Sequence, residues 1–536
     1  MVLMQVRRHG VRLVLGALGL GLVLAFLYNS AGWPLLRQEI RYYPSIKVDP
    51  HHNTQQAPSF EASSNQTTHH GLGRTSQLHY LVPASDVKAS LCAGVASALA
   101  NGYPIPRIVG YKGKGEFDAR AAHIAKLRAI QRYLDNVDAI IPGHAAEDDL
   151  VMVVDGYDVL AKLPVGVVIE RYFELVEAAD RKLASRRGIT VPELRSLGIQ
   201  QTLLFGTDKG CFPPPGTDPR CWLVPYSDLP PYVWGPKSKR EEHGRPGRPY
   251  TDSRFLNSGT VIGPLGDLRK FINATLEYIQ DSFDPEHRYR NSDQFYAATL
   301  YARQEFQRLV DLGEGRLYMD IRGDLPKPRS GPEDETEYHV FVDTDYALVQ
   351  TRCCNEQFMQ KLQYRPHDLR ATVTTDPFDD YWHFQQFDVQ MPTSVFQELV
   401  RMYETLPEDE RPSPSTKDWI SSLQLDTDVA TQHIFPIYHH TCEKAGFVEI
   451  HQKSWYFPLI EPLMRAARAG NEMGKPLHPR LVDGRQWIAP QQYPREAQLY
   501  DELGGVFTDL EKDSFFGLRD FCKKDLAATL GDPPMS

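Results

Sequence analysis

The chain has 536 residues, 41% of them hydrophobic and 11% aromatic, with a formal net charge of −10 at neutral pH. That length exceeds one ordinary domain, so a catalytic domain with a second domain or a large extension is the expectation. The acidic balance excludes a general nucleic-acid binder, which carries a basic footprint for phosphates.

Arg7, Arg8 and Arg12 precede an uncharged apolar stretch, Leu13 to Tyr28. It is a little short for a full bilayer and resembles in length the apolar region of a signal peptide. No clear small-x-small cleavage site follows. The pattern therefore predicts a cytosolic tail over 1–12, a single-pass signal anchor over 13–29, and a lumenal remainder in the Golgi or endoplasmic reticulum. A cleaved signal peptide is the alternative. Residues 30–77 are polar, biased to His, Ser and Thr, and aperiodic, which reads as a disordered stem. Two sequons, at Asn65 and Asn273, are compatible with a lumenal placement. Seven cysteines permit up to three disulfides and leave one thiol; Cys211 and Cys221, flanking a proline-rich loop, are the expected pair. None has the Cys-x-x-Cys spacing of a structural zinc site.

Order begins with a short apolar strand, His79 to Pro83, and a small polar loop, Ala84 to Asp86. Such a unit opens a nucleotide-binding βα fold, with Val82 and Ser85 as candidate nucleotide-binding residues. Leu91 to Ala100 reads as the following helix, Ile105 to Tyr111 as a second strand, and Lys112 to Gly115 as a basic loop. Ala119 to Leu134 has helical apolar spacing, with Lys126, Arg128 and Arg132 interspersed.

The apolar run Leu150 to Val154 then delivers Asp155-Gly156-Tyr157-Asp158. A buried strand ending in two carboxylates three positions apart places both at a sheet edge, where one hard divalent cation can bind them and substrate phosphates can complete its shell. Asp-Gly-Tyr-Asp is also an ordinary turn sequence whose carboxylates cap local amides.

Val165 to Ser185 reads as a surface helix and Gln201 to Gly206 as a buried strand. Residues 236–249 carry Lys, Arg and Gly with no aliphatic residue, a loop able to close over substrate or simply solvated. Phe255 to Gly263 is a polar turn, Asn257-Ser258-Gly259, leading into a β-branched strand; its small residues allow close approach to the backbone. Asn291 or Ser292 caps a helix that begins with Asp293, whose carboxylate either favours the helix dipole or faces substrate. Val340 to Asp343 and Ala347 to Gln350 form a late strand pair or a strand with a turn. The last strongly apolar segment, Ile434 to Tyr438, ends in His439-His440, potential metal ligands or hydrogen-bonded surface histidines. No chemistry is assignable after Phe447.

Taken in order, Val-Val-Asp-Gly-Tyr-Asp-Val-Leu, Leu-Leu-Phe with a Cys/Pro/Trp-rich loop, Arg-Phe-Leu-Asn-Ser-Gly and Asp-Gln-Phe-Tyr resemble the glycosyltransferase domain of the procollagen lysyl hydroxylase family. The resemblance covers roughly residues 78–360. It implies an α/β fold of the GT-A type, a UDP-sugar donor and Mn²⁺; residues 361–536, beyond the resemblance, read as a C-terminal α+β extension that could complete the active site. It further implies Asp155 and Asp158 as metal-binding acids, with His439 or His440 as third ligand. Tyr157 would pack against uridine, and Lys126 would lie near the nucleotide. Asn257 and Asp293 would line the sugar and acceptor side as the catalytic pair, Asp293 acting as base towards an acceptor hydroxyl if the reaction inverts or as a stabiliser if it retains. The family's run of aspartates is reduced here to Ser292-Asp293, and the Asn-Gly expected after the histidine is absent. No His-x-Asp occurs anywhere, so lysyl hydroxylation is not expected and collagen as acceptor does not follow.

The expectation is a metal-dependent glycosyltransferase acting on a protein or glycan acceptor in the secretory pathway. Two other readings compete with it. One is a lumenal binding or scaffold protein with a decayed transferase fold. The other is a metal-dependent hydrolase that uses the same acids.

Overall fold

Strand β1, Arg74–Pro83, runs through the middle of the central sheet and pairs in parallel with β2 (Arg107–Val109), β3 (Leu150–Val154) and a C-terminal strand, Arg485–Ile488. The computed structural model describes residues 73–113, 123–141, 145–213, 218–239, 247–314, 325–331, 333–413, 415–496, 499–510 and 514–531. The expected tail, anchor, most of the stem, the Asn65 sequon, the start of the helix expected from Ala119, and the middle of the 236–249 loop lie outside them. No helix among the described residues is long and apolar enough to cross a membrane.

Between these strands lie α1 (Ala89–Ala100) and α2 (Ile124–Asp135). Then follow β4 (Val159–Ala161), α3 (Val165–Arg187), β5 (Leu203–Asp208), β6 (Phe255–Pro264), α4 (Leu265–Ser282) and α5 (Asp293–Asp311). Further on come β7 (Val340–Val342), β8 (Val349–Thr351), β9 (Met359–Gln363), β10 (Arg370–Val373), β11 (Phe387–Gln390), α6 (Thr393–Thr405), β12 (Gln424–Asp428), β13 (His433–Ile434) and β14 (Ile437–His439). The chain closes with α7 (Ile460–Glu472), β15 (Arg485–Ile488), β16 (Gly505–Thr508) and β17 (Phe515–Gly517).

The nine-stranded sheet runs β17-β16-β2-β1-β3-β6-β5-β7, with β15 beside β1. It is mixed: β6 is antiparallel to both β3 and β5, while β5 and β7 are parallel. Its strands are buried on both faces, which is why β3 reads as an unbroken apolar run instead of alternating. Leu150, Met152 and Val154 enter one core with Tyr80, Val82 and α1. Val151 and Val153 enter the other with Phe205, Val261 and residues of α2, α4 and α5. Each of these side chains contributes roughly 1.5–3 kcal/mol on full burial.

The late apolar segments do not form one strand pair. β7 ends the large sheet, whereas β8 joins a separate three-stranded sheet, β4-β14-β8. Asp343 explains the break: its carboxylate accepts from the amides of Ala347, Leu348 and Val349, turning the chain from one sheet to the other. Residues beyond 360 contribute three strands to the large sheet and the central strand β14 to the small one. Disulfides Cys92–Cys522, Cys211–Cys221 and Cys353–Cys442 fasten the fold, and Cys354 is the free thiol. Cys211–Cys221 is the pair expected from sequence. Asn273 lies within α4 with its amide oxygen accepting from Gln131, a poor setting for a glycan.

Candidate metal centre

β3 ends at Val154, and Asp155 follows at the rim of the sheet, as its sequence predicts. The Asp155 amide donates to Gly259 O at 2.8 Å, so the turn is registered against β6. Gly156 is required by proximity. A Cβ there would meet Pro83 O at 2.7 Å and Ala84 Cβ at 3.0 Å, so the turn packs directly on the end of β1. Tyr157 locks the same two loops together. Its hydroxyl accepts from the amides of Ser85 (3.1 Å) and Asp86 (2.9 Å) and lies 3.0 Å from Asp86 O, to which it donates. Lys88 covers its ring at 4.6 Å from the centroid. Ser85 is thus at the rim. Val82 is not: its side chain is buried in the core, beneath Gly156.

Asp158 leads into β4, and β4 pairs antiparallel with β14 so that Val159 faces His439. That register brings together residues 281 positions apart in the chain, since 439 less 158 is 281. His439 Nε2 lies 3.3 Å from Asp158 Oδ2 and 4.0 Å from Asp155 Oδ2. Among the described residues, one ligand atom from each of Asp155, Asp158 and His439 lies within 4.8 Å of the others, close enough to share one ion. His440 takes no part. Its Nε2 donates to Ala445 O at 2.9 Å and its Nδ1 accepts from the Tyr438 hydroxyl at 2.7 Å, so both ring nitrogens are spent. Alternation along a strand sends neighbouring side chains to opposite faces, which is why only one of the two histidines reaches the acids.

The electrostatics fit a cation. Burial opposes ionisation of Asp158, yet His439 and Lys444 outweigh it and hold the carboxyl below its ordinary range. Burial disfavours a charged His439, but Asp158 and then Asp155 raise its pKa. Lys444 sets its ammonium against Asp158, a positive charge already in direct contact with the acid. Two carboxylates and one imidazole form a donor set that could hold a metal ion.

Lys126, buried on α2, reaches Asp155 Oδ1 at 2.8 Å, Asp293 Oδ2 at 2.6 Å and Ser258 O at 3.1 Å. Desolvation alone would lower its pKa; the two acids reverse the sign and raise it. Asp293 opens α5 behind the N-cap Ser292, whose hydroxyl accepts from Phe295 N. Its buried carboxyl is disfavoured by desolvation but held low by Lys126. Both polar atoms of the Asn257 side chain are engaged: its Nδ2 donates to Asp208 Oδ2 at 2.9 Å and its Oδ1 accepts from Gly259 N at 2.9 Å. The register of β5 on β6 shifts between Phe205 and Gly206, so Ser258, Gly259 and Thr260 bulge from that pairing toward the site.

Sequence reasoning missed Asp208 and Lys444. Asp208 ends a strand whose apolar core stops at Gly206, and Lys444 lies in an unpatterned turn. Two cavities, of about 100 Å³ between α1, α6 and α7 and about 260 Å³ among α3, α5 and β7, contain none of the site residues. No known family model matches the chain, and no curated protein is similar enough to count as a relative. What the geometry defines is a mixed α/β protein with a carboxylate–imidazole centre at the rim of a small sheet.

Proposed function

We propose that this protein is a metal-dependent glycosyltransferase of the GT-A type, taking a UDP-sugar as donor and a protein or glycan hydroxyl as acceptor. The convergence of Asp155, Asp158 and His439 on one point carries the reading. Mn²⁺ held by these three would supply charge neutralisation for the diphosphate leaving group. The chain's own residues do the rest. Tyr157 and Ser85 form the wall beside which the uracil lies. Lys444, exposed and beside Asp158, is placed to pair with a phosphate oxygen once a metal takes over that acid. Lys126 fixes Asp155 and Asp293 in one rigid frame, with Asp293 and Asn257 bordering the sugar.

Three disulfides among the described residues support residence in an oxidising compartment, in keeping with an anchored lumenal enzyme of the Golgi or endoplasmic reticulum. A screen of UDP-sugars for Mn²⁺-dependent UDP release, with and without acceptors, tests the function. Release that needs Mn²⁺ and is stimulated by an acceptor is expected. Metal-independent release, or none with any donor, would overturn the reading, and release indifferent to acceptors would favour a hydrolase.

A further inference from the structure

Asp208 ends β5 with one carboxylate oxygen engaged and the other free. Oδ2 accepts from Asn257, whereas Oδ1 is buried and makes no hydrogen bond, with the Gln294 amide approaching the same carboxyl. A buried acid oxygen without a partner is costly, and such groups persist where a reaction or ligand uses them. Its position is adjacent to the metal centre. Asn257, which grips Asp208, also grips Gly259 N, and a Cβ on Gly259 would lie 2.7 Å from His439 Nε2 and 2.9 Å from Asp155 Oδ2.

Resting on the transfer reading above, we propose that Asp208 is the catalytic base, its Oδ1 taking the proton of the attacking hydroxyl. As the acceptor oxygen forms its bond to the anomeric carbon, its proton passes to Asp208. The bond from that carbon to the diphosphate oxygen breaks, and its electron pair departs with UDP. Asp208 then returns the proton to solvent.

The other acid of the site is less suited. Asp293 is fixed to the Lys126 ammonium, and a carboxylate neutralised in this way is a weak base. Asp208 has no such ammonium bound to it, and burial raises its pKa against the hydrogen bond from Asn257. Several groups surround it. His439 and Lys444 act from β14 and the turn after it, Asn257 from β6 and Gln294 from α5. Tyr346 and Cys354 feel its charge from the segment around β8. The adjacent Lys209 turns its ammonium away, onto the Trp234 ring at 3.2 Å.

The test uses the full chain in detergent, UDP-glucose and UDP-galactose as donors, water as acceptor, and calorimetry of Mn²⁺ and UDP binding. Asp208→Asn should lower UDP release about 100-fold or more, as loss of a general base does. Its Mn²⁺–UDP affinity should stay within about threefold of wild type, the acid limb of the kcat/KM–pH profile should vanish, and Asp208→Glu should keep measurable turnover. Release by Asp208→Asn at near the wild-type rate would overturn the proposal. So would loss of Mn²⁺–UDP binding alongside activity, or a wild type that binds Mn²⁺–UDP yet releases UDP from neither donor. A wild type that binds no Mn²⁺–UDP would instead overturn the transfer reading, and this proposal with it.

Discussion

His439 occupies the space that a side chain on Gly259 would fill: a Cβ there would lie 2.0 Å from His439 Cε1. Strand β6 thus makes room for an imidazole carried by β14. Gly259→Ala should push the imidazole off the two acids and weaken Mn²⁺ binding at least about tenfold, the effect typical of displaced supporting groups. Calorimetry would read this directly, and unchanged affinity would show that the contact does not set the centre.

Lys126 neutralises two acids at once, one of them buried. Lys126→Met leaves Asp293 as an uncompensated buried charge, a change that costs about 3–5 kcal/mol for buried pairs. Asp155 is one-third exposed and adds less. Adding Asp293→Asn to Lys126→Met should recover most of the loss, because the stranded charge goes with it. Urea denaturation of the single and double variants checks this; equal stability of the two would contradict it.

The Cys353–Cys442 bridge ties β8's end to the turn three residues beyond His439, the proposed ligand. The Cys353→Ser/Cys442→Ser variant should lose about 2–4 kcal/mol of stability and bind Mn²⁺ more weakly. Cys354 should remain the single thiol accessible to a thiol reagent in the unfolded, unreduced wild-type chain. A count of two or more would mean that one of the bridges is absent.

His79, a buried residue of β1, has its Nδ1 2.7 Å from the Tyr133 hydroxyl, and burial, with the Arg107 charge, lowers its pKa to about 3. A histidine depressed below its unfolded value of about 6.5 favours folding fully above that pH and loses its contribution as pH falls toward 3. Wild type should therefore lose stability relative to His79→Phe as pH drops from 7 to 4. Thermal melts at several pH values measure the difference, and a gap independent of pH would refute the assignment.

Much of the architecture near the site was legible in the sequence because it is local. The run Leu150 to Val154 reads as a buried strand, and the acids after it land at its edge. The Ser292 cap and the Cys211–Cys221 bridge are likewise short-range. What the sequence does not carry is pairing between distant strands. The choice of His439 over His440 follows from the β4–β14 register, and the split of β7 from β8 follows from the amides that Asp343 gathers. Asp208 becomes visible only when the β5–β6 irregularity sets Asn257 beside it. Val82 immediately precedes the loop, which makes it a candidate from sequence, whereas the pleat turns its side chain into the core.

The central claim is that Asp155, Asp158 and His439 hold a divalent cation that in turn holds UDP. Calorimetric titration of Mn²⁺ into wild type, Asp158→Ala, His439→Ala and His440→Asn, each with and without UDP, tests it most directly. One ion per chain is predicted for wild type and His440→Asn, with UDP binding dependent on it and both lost in Asp158→Ala and His439→Ala. Equal Mn²⁺ and UDP binding in all four proteins would contradict the account.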